Sequence, residues 1–128
     1  MWTRGGEGEE RVTGASKDAK DGLLTPRKIA QRLRTTSEDL ARSAGLGRGA
    51  VQRWDRIASG ETQRRLRELV AVIDRVAPRL GSALMAYAWY RSEPLPGFSG
   101  QTAMQLLRCG RAEDVFGYID AVYIGVHA

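Results

Sequence analysis

The chain has little of the chemistry that enzymes and metal centres use. Its 128 residues include one cysteine, Cys109, and one histidine, His127. A single cysteine cannot form an internal disulfide, and these two residues fall short of the ligand set of a structural zinc site. Gly97 and Gly100 stand in a stretch too short and too proline-flanked for a phosphate-binding loop. We therefore expect no metal, no cofactor and no catalytic residue, and a Cys109–His127 hydrolase is the enzymatic alternative.

Long apolar runs are also missing. No stretch approaches the roughly 18 apolar residues of a membrane span, and the first residues lack the apolar core of a signal peptide. These absences predict a cytoplasmic protein that does not contact a membrane. Residues 1–22 are nearly empty of large apolar side chains. Such a segment cannot bury enough surface to fold, so we expect a disordered tail.

Positive charge is present in excess, and it is confined to the middle of the chain. The formal net charge is +5. Residues 23–76 hold 12 basic and 6 acidic side chains, whereas residues 77–128 hold 4 of each. A basic region of this size attracts a phosphate backbone or an acidic partner. A solvated, arginine-rich surface without a partner is the alternative.

Helical periodicity dominates the chain after residue 22, and no segment of useful length alternates as a strand would. We therefore expect an all-α fold. Thr25 and Pro26 suit the cap and the first position of a helix. Thr35 and Glu38 have the spacing of a capping box, which predicts the start of a second helix.

The second half of the chain carries further helical signals. Apolar residues at three- and four-residue steps from Leu66 to Leu80 predict a long amphipathic helix that ends or kinks near Pro78. Beyond it we predict a helix opened by Gly81-Ser82, a turn over 92–101, helices from Thr102 to Arg108 and from Arg111 to Val122, and a short apolar tail over 123–128.

The strongest local pattern, in residues 37–54, is that of a helix-turn-helix. Ala41 is small enough for two helices to cross closely, and Gly45 supplies the positive φ of a tight turn. Side chains suited to the wedge between the helices are those of Leu40, Ala44, Leu46, Val51 and Trp54. With this wedge buried, the outward-facing side chains of the second helix would be Arg48, Gln52 and Arg53. Arg56 would follow just beyond the helix.

These four outward residues are the candidate DNA contacts. Arginine and glutamine can pair bidentately with guanine or adenine, and Arg56 is placed to meet a phosphate. A plain helical hairpin with an arginine-rich face is the alternative. Gly47 and Gly49 favour that alternative, since each glycine lowers helix stability by about 1 kcal/mol relative to alanine.

The back half has a distinctive order of residues. Trp89 precedes a turn with prolines and glycines, and a short helix ending in Leu106-Leu107 precedes Gly110. A final helix with Ile119-Asp120-Ala121 follows, and Gly125-Val126 stands near the end of the chain. This order resembles the C-terminal toxin-binding domain of the Xre/MbcA/ParS antitoxins.

The resemblance extends over roughly residues 25–128. Arg53-Trp54 is similar to an Arg-Trp pair of the family. The chain departs from the family pattern in three places: Ser99-Gly100 replaces a Gly-Gly pair, Thr102-Ala103 replaces Thr-Pro, and two glycines flank Arg48 in the reading helix. These departures bear mainly on DNA binding.

The resemblance implies an antitoxin of a type II toxin–antitoxin system. Its partner would be a RES-type toxin that degrades NAD+ or transfers ADP-ribose, and the C-terminal helix and tail would cover the toxin's active site. Operator DNA and a homo-oligomer within the complex are further implied partners. The implied toxin contacts are Trp89, Tyr123, Ile124, Gly125, Val126, His127 and Ala128.

The sequence thus predicts three parts: a disordered tail over 1–22, a helix-turn-helix region over 23–76, and a helical toxin-binding domain over 77–128. A stand-alone helix-turn-helix transcriptional regulator, whose back half only dimerises, is the alternative function. For the apolar tail, packing on the chain's own core is the alternative to docking on a toxin.

Overall fold

A computed structural model describes residues 22–127, and from 124 to 127 it describes the backbone alone. The tail predicted over 1–22, except Gly22, and the candidate contact Ala128 lie outside the described residues. Within that range the chain is helical without a strand, and an isolated bridge joins Pro94 to Thr102. The all-α prediction is confirmed. The elements are α1 (Pro26–Arg32), α2 (Ser37–Ser43), a 3-10 turn (Arg48–Val51), α3 (Trp54–Ile57), α4 (Gly60–Leu80), α5 (Ala83–Ser92), α6 (Ala103–Arg108) and α7 (Ala112–His127).

The junction of α1 and α2 differs from the predicted capping box. The N–H of Thr35 donates to the carbonyl of Ala30 at 2.9 Å, which closes α1 in the manner of a Schellman motif. Because Thr35 completes α1, the next residue caps α2: the hydroxyl of Thr36 accepts from the N–H of Asp39 at 3.0 Å. The prediction that Thr35 and Glu38 form the capping box is wrong.

The turn after α2 depends on Gly45, as predicted. Its φ is +78°, a value that L side chains rarely adopt. The N–H of Leu46 donates to the carbonyl of Ala41 at 2.8 Å and ends the helix in the same motif. A Cβ added to Gly45 would lie 3.2 Å from the Cα of Arg108. The end of α2 therefore packs directly against α6.

Helix α4 is the longest element. Ser59 is its N-cap residue, and the Ser59 side chain accepts a hydrogen bond from the N–H of Thr62. The helix continues through Pro78, which is exposed, and ends at Leu80 because Gly81 turns to a φ of 104°. The predicted boundary between residues 76 and 77 thus falls inside a continuous helix.

One hydrophobic cluster contains side chains from both predicted parts of the chain, from Ile29 in α1 to Ile119 in α7. The segments 23–76 and 77–128 share this core instead of building one each. Its largest fully buried side chains are Tyr90, Ile29, Leu40, Leu66, Leu69, Ile73, Leu95, Leu106, Leu107, Val72 and Val76.

The segment between α5 and α6 is a compact turn, as predicted. The N–H of Leu95 donates to the carbonyl of Gln101 at 2.9 Å, and the Leu95 side chain is buried. Thr102 then forms a capping box with Gln105 at the start of α6. These contacts fix the turn against the core at both of its ends.

Helix α7 is longer than predicted. The sequence predicts an end at Val122 and an apolar tail over 123–128, but the helix runs to His127. No proline follows Val122, and Gly125 lies within the helix instead of ending it. The described part of the predicted tail is helix.

Candidate functional site

The segment expected to read DNA does not form a recognition helix. Residues Arg48–Val51 make a single 3-10 turn, and α3 supplies only four more helical residues, Trp54–Ile57. Between them Arg53 is extended, with φ −122° and ψ 136°. Gly47 and Gly49 account for part of this break, since glycine is a poor helix former. We call residues 47–57 the basic turn.

The wedge predicted for the helix-turn-helix is only partly present. Leu40 and Ala44 are buried and Leu46 is half-buried against the core. Val51 is half-buried, and Trp54 is 48% exposed. The prediction that Trp54 closes a buried wedge is wrong: the extended backbone of Arg53 interrupts the helix before it, and the Trp54 side chain is exposed.

All four candidate DNA contacts are exposed on the basic turn. The Nε of Arg48 lies 3.9 Å from a carboxylate oxygen of Glu38, and the Nε of Arg53 lies 3.4 Å from one of Asp55. Pairs this exposed contribute about 0–1 kcal/mol, so a polyanion can compete for both guanidinium groups. Gln52 and Arg56 complete the set.

A polar cleft of about 290 Å³ lies beside the basic turn and is lined by Glu38, Arg42, Leu46 and Arg48. Each guanidinium group in it has an acid nearby: Arg42 pairs with Asp39, and Arg48 approaches Glu38. The cleft therefore presents mixed charge. It offers no concentrated positive site for a single small anion.

The final helix, α7, packs on the C-terminal half of α4, the end away from the basic turn. Val115 and Ile119 bury one face of α7 in the core. On the flank of α7, the guanidinium of Arg75 lies 4.4 Å above the ring of Phe116 and pairs with Asp120 at 3.4 Å. These contacts hold α7 along α4.

Tyr123 makes a similar contact about two turns beyond Phe116 on α7. The guanidinium of Arg79 lies 4.8 Å above its ring, and partial burial raises the pKa of the Tyr123 phenol. Trp89 is likewise half-buried against the core. Both are candidate toxin contacts, and in this structure both are partly packed on the chain itself.

The register of these contacts shows where α7 ends relative to α4. Arg75 faces Phe116 and Arg79 faces Tyr123, so the two helices run in the same direction. Helix α7 continues four residues past Tyr123 to His127, or about 6 Å at the rise of an α-helix. Helix α4 ends one residue after Arg79. The last turn of α7 therefore extends beyond the end of α4.

The backbone of this last turn includes four of the candidate toxin contacts. The structure places their backbone at the end of α7, directly after Tyr123. Their side chains lie outside the described residues. The four contacts are Ile124, Gly125, Val126 and His127.

Sequence reasoning missed two exposed apolar side chains at the start of α5. Leu84 is 40% and Met85 is 55% exposed. They stand three and four residues after Gly81, so they lie near the end of α4 that contains Arg79. Adjacency alone does not mark them as exposed in the sequence, since Leu106 and Leu107 are also adjacent in a helix and both are fully buried.

Sequence reasoning also missed the role of Arg75 and Arg79. Their spacing of four residues places them on one face of α4, where aromatic side chains of α7 stack on them. Arginine at this spacing is common on solvated helices. Nothing in the sequence alone distinguishes a stacked pair from a solvated one.

Among the described residues, no cluster of His, Cys, Asp and Glu side chains could hold a metal ion, and no helix has the length and apolar character to cross a membrane. No protein-family model, no curated protein and no solved structure matches the chain. Its residues and their geometry are therefore the basis for any functional assignment.

Proposed function

We propose that this chain is the antitoxin of a type II toxin–antitoxin system and that it neutralises a RES-type toxin, which degrades NAD+ or transfers ADP-ribose. The neutralising element is α7 with the residues at its end, laid over the toxin's active-site cleft. In this proposal the chain catalyses nothing and binds no cofactor, since the NAD+ site belongs to the toxin. The complex is cytoplasmic and contains a homo-oligomer of the antitoxin.

The observation that carries the proposal is the way α7 leaves the core. Its first half is anchored by Val115 and Ile119, and its last turn extends past the end of α4. A helix whose first half is fixed in the core and whose last turn extends beyond its neighbour can enter a cleft with little loss of conformational entropy. The contact of Tyr123 with Arg79 fixes the direction of α7 just before its last turn.

The surroundings of this helix end support the same proposal. Leu84 and Met85 are exposed at the start of α5, shortly after α4 ends, and adjoining exposed apolar side chains are typical of protein interfaces. Residues 77–128 carry no net charge, which suits a protein partner better than a nucleic acid. The order of turn, short capped helix and final helix from residue 89 onward agrees with the family resemblance.

The stand-alone regulator is the weaker alternative. Helix-turn-helix proteins that bind specific DNA sequences place a continuous helix in the major groove. The basic turn instead contains one 3-10 turn and a four-residue helix. Arg48, Gln52, Arg53 and Arg56 would then not project from one helix face. Operator binding by these residues is therefore secondary in the proposal.

Co-expression with a RES-domain protein from the same genome tests the proposal. The full chain should restore growth and cellular NAD+, and a chain truncated after Tyr123 should not. This truncation keeps the contact with Arg79, so the thermal midpoint should change little. Replacing Arg67, which is exposed on α4, by alanine is the matched control and should rescue fully. Full rescue by the truncated chain would overturn the role of the last turn.

A further inference from the structure

The basic turn has a second feature besides its charge, an exposed indole. Trp54 is 48% exposed, although tryptophan is usually buried for most of its area. It stands directly after Arg53 and two residues before Arg56. The described residues give Arg56 no ion pair, and the side chain of Arg53 is 72% exposed. An exposed aromatic side chain in a segment with exposed arginines is the combination of residues on which unpaired bases stack.

A buried glutamine brings a further cation close to this segment. Gln63 of α4 is 3% exposed, and its side-chain amide donates to the carbonyls of Leu24 and Ile57 at 3.0 and 2.9 Å. Its oxygen accepts from the N–H of Leu24 at 2.8 Å. The start of α1, with the exposed Arg27, is thereby fixed beside the end of α3.

The backbone of the basic turn is accessible as well. A Cβ added to Gly47 or Gly49 would meet no atom within 4 Å, so a phosphate can approach the main chain there. Without a continuous helix, however, the segment cannot present a row of side chains to the major groove. The surface suits a polyanion whose bases are already exposed.

We propose that the basic turn, together with Arg27, binds single-stranded nucleic acid without sequence selectivity. Arg27, Arg48, Arg53 and Arg56 contact successive phosphates, and one base stacks on Trp54. This activity does not depend on toxin neutralisation, because the basic turn lies at the start of α4 and the projecting end of α7 lies at its other end. Failure of either proposal leaves the other intact.

Fluorescence anisotropy with the full chain and a labelled thymidine oligonucleotide of about 20 nucleotides tests this surface, with a duplex of the same length for comparison. Four phosphate contacts predict a salt slope of about −2.8, so binding should weaken about 50-fold when salt rises from about 50 to about 200 mM. The single strand should bind more tightly than the duplex.

Variants separate stacking from charge. Trp54→Ala should weaken binding about ten-fold, and Trp54→Phe, which keeps an aromatic plane, should retain most of the affinity. The double variant Arg53→Ala/Arg56→Ala should reduce the salt slope by about 1.4. Arg75→Ala is the matched charge control: it lies about 18 Å along α4 from Gln63, beyond the screening length, and should change affinity less than about two-fold.

The outcomes are distinct. Tighter binding of the single strand, with losses confined to the variants of the basic turn, supports the proposal. Equal or tighter binding of the duplex overturns it in favour of a groove-binding mode. Unchanged affinity of Trp54→Ala, with folding verified by circular dichroism, also overturns it, because no base would then stack there.

Discussion

Replacing Tyr90 by phenylalanine removes one oxygen atom from the core and should cost more stability than the same change at Tyr87. The Tyr90 hydroxyl is buried and donates to the carbonyl of Ser43 at 2.6 Å. That carbonyl stands at the end of α2, where no further helical turn supplies an N–H. Phenylalanine would leave it buried and unpaired, which costs about 1–3 kcal/mol.

Tyr87 is the matched control on the same helix. Its hydroxyl lies 2.9 Å from the Oγ of Ser43, and that Oγ also donates to the carbonyl of Leu40 at 2.8 Å. Removing the Tyr87 hydroxyl leaves the Ser43 hydroxyl with this second partner, so the loss should stay near 0.5–1 kcal/mol, about the net value of one hydrogen bond.

Urea unfolding followed by circular dichroism measures both losses. Tyr90→Phe should lower the midpoint clearly more than Tyr87→Phe, with the slope unchanged in both variants. Equal losses in the two variants, or a loss below about 0.5 kcal/mol for Tyr90→Phe, would refute the claim that this hydrogen bond joins α2 to α5 in the core.

Two further predictions concern stability. Gly45→Ala and Gly110→Ala share a φ near +80°, which costs about 1–2 kcal/mol for an L residue, but only Gly45 faces the backbone of Arg108; Gly45→Ala should therefore lower the thermal midpoint more, and equal shifts would contradict the close packing of α2 on α6. Burial raises the pKa of the Tyr90 phenol, so the folded state keeps a proton that the unfolded chain loses above about pH 10. Stability should then fall with rising pH by up to about 1.4 kcal/mol per unit, and pH-dependent unfolding should show no such excess in Tyr90→Phe.

Local signals predicted much of the helical framework. Pro26, Ser82 and Thr102 each act within one turn of chain, and the structure places them at helix starts as the sequence indicated. Gly45 likewise ends α2 because its backbone conformation is a local property. Signals of this kind need no knowledge of distant residues.

The errors arose where a neighbouring or distant element decided the outcome. Thr35 completes α1 and is therefore unable to cap α2. The spacing of Trp54 predicts a wedge residue only if the helix is continuous. The helix is interrupted at Arg53, whose backbone is extended. The predicted division at residue 76 lies within α4, and contacts such as that of Tyr90 with Ser43 join residues on either side of it.

The candidate toxin contacts show the same limit. An apolar end of the chain indicated a docking element, and periodicity alone did not show that Tyr123 packs on Arg79 while the helix continues to His127. Only the register of α7 against α4 separates the residue that anchors the helix from the turn that projects. That register depends on tertiary contacts.

The most direct test of the proposed neutralisation is an NAD+ consumption assay with a purified RES-domain protein from the same genome, titrated with the full chain. We expect NAD+ turnover to stop once the full chain reaches a fixed molar ratio to the toxin. The chain truncated after Tyr123 should remain folded but leave NAD+ turnover undiminished. Undiminished NAD+ consumption at saturating full-length chain, with no complex on gel filtration, would contradict the central claim.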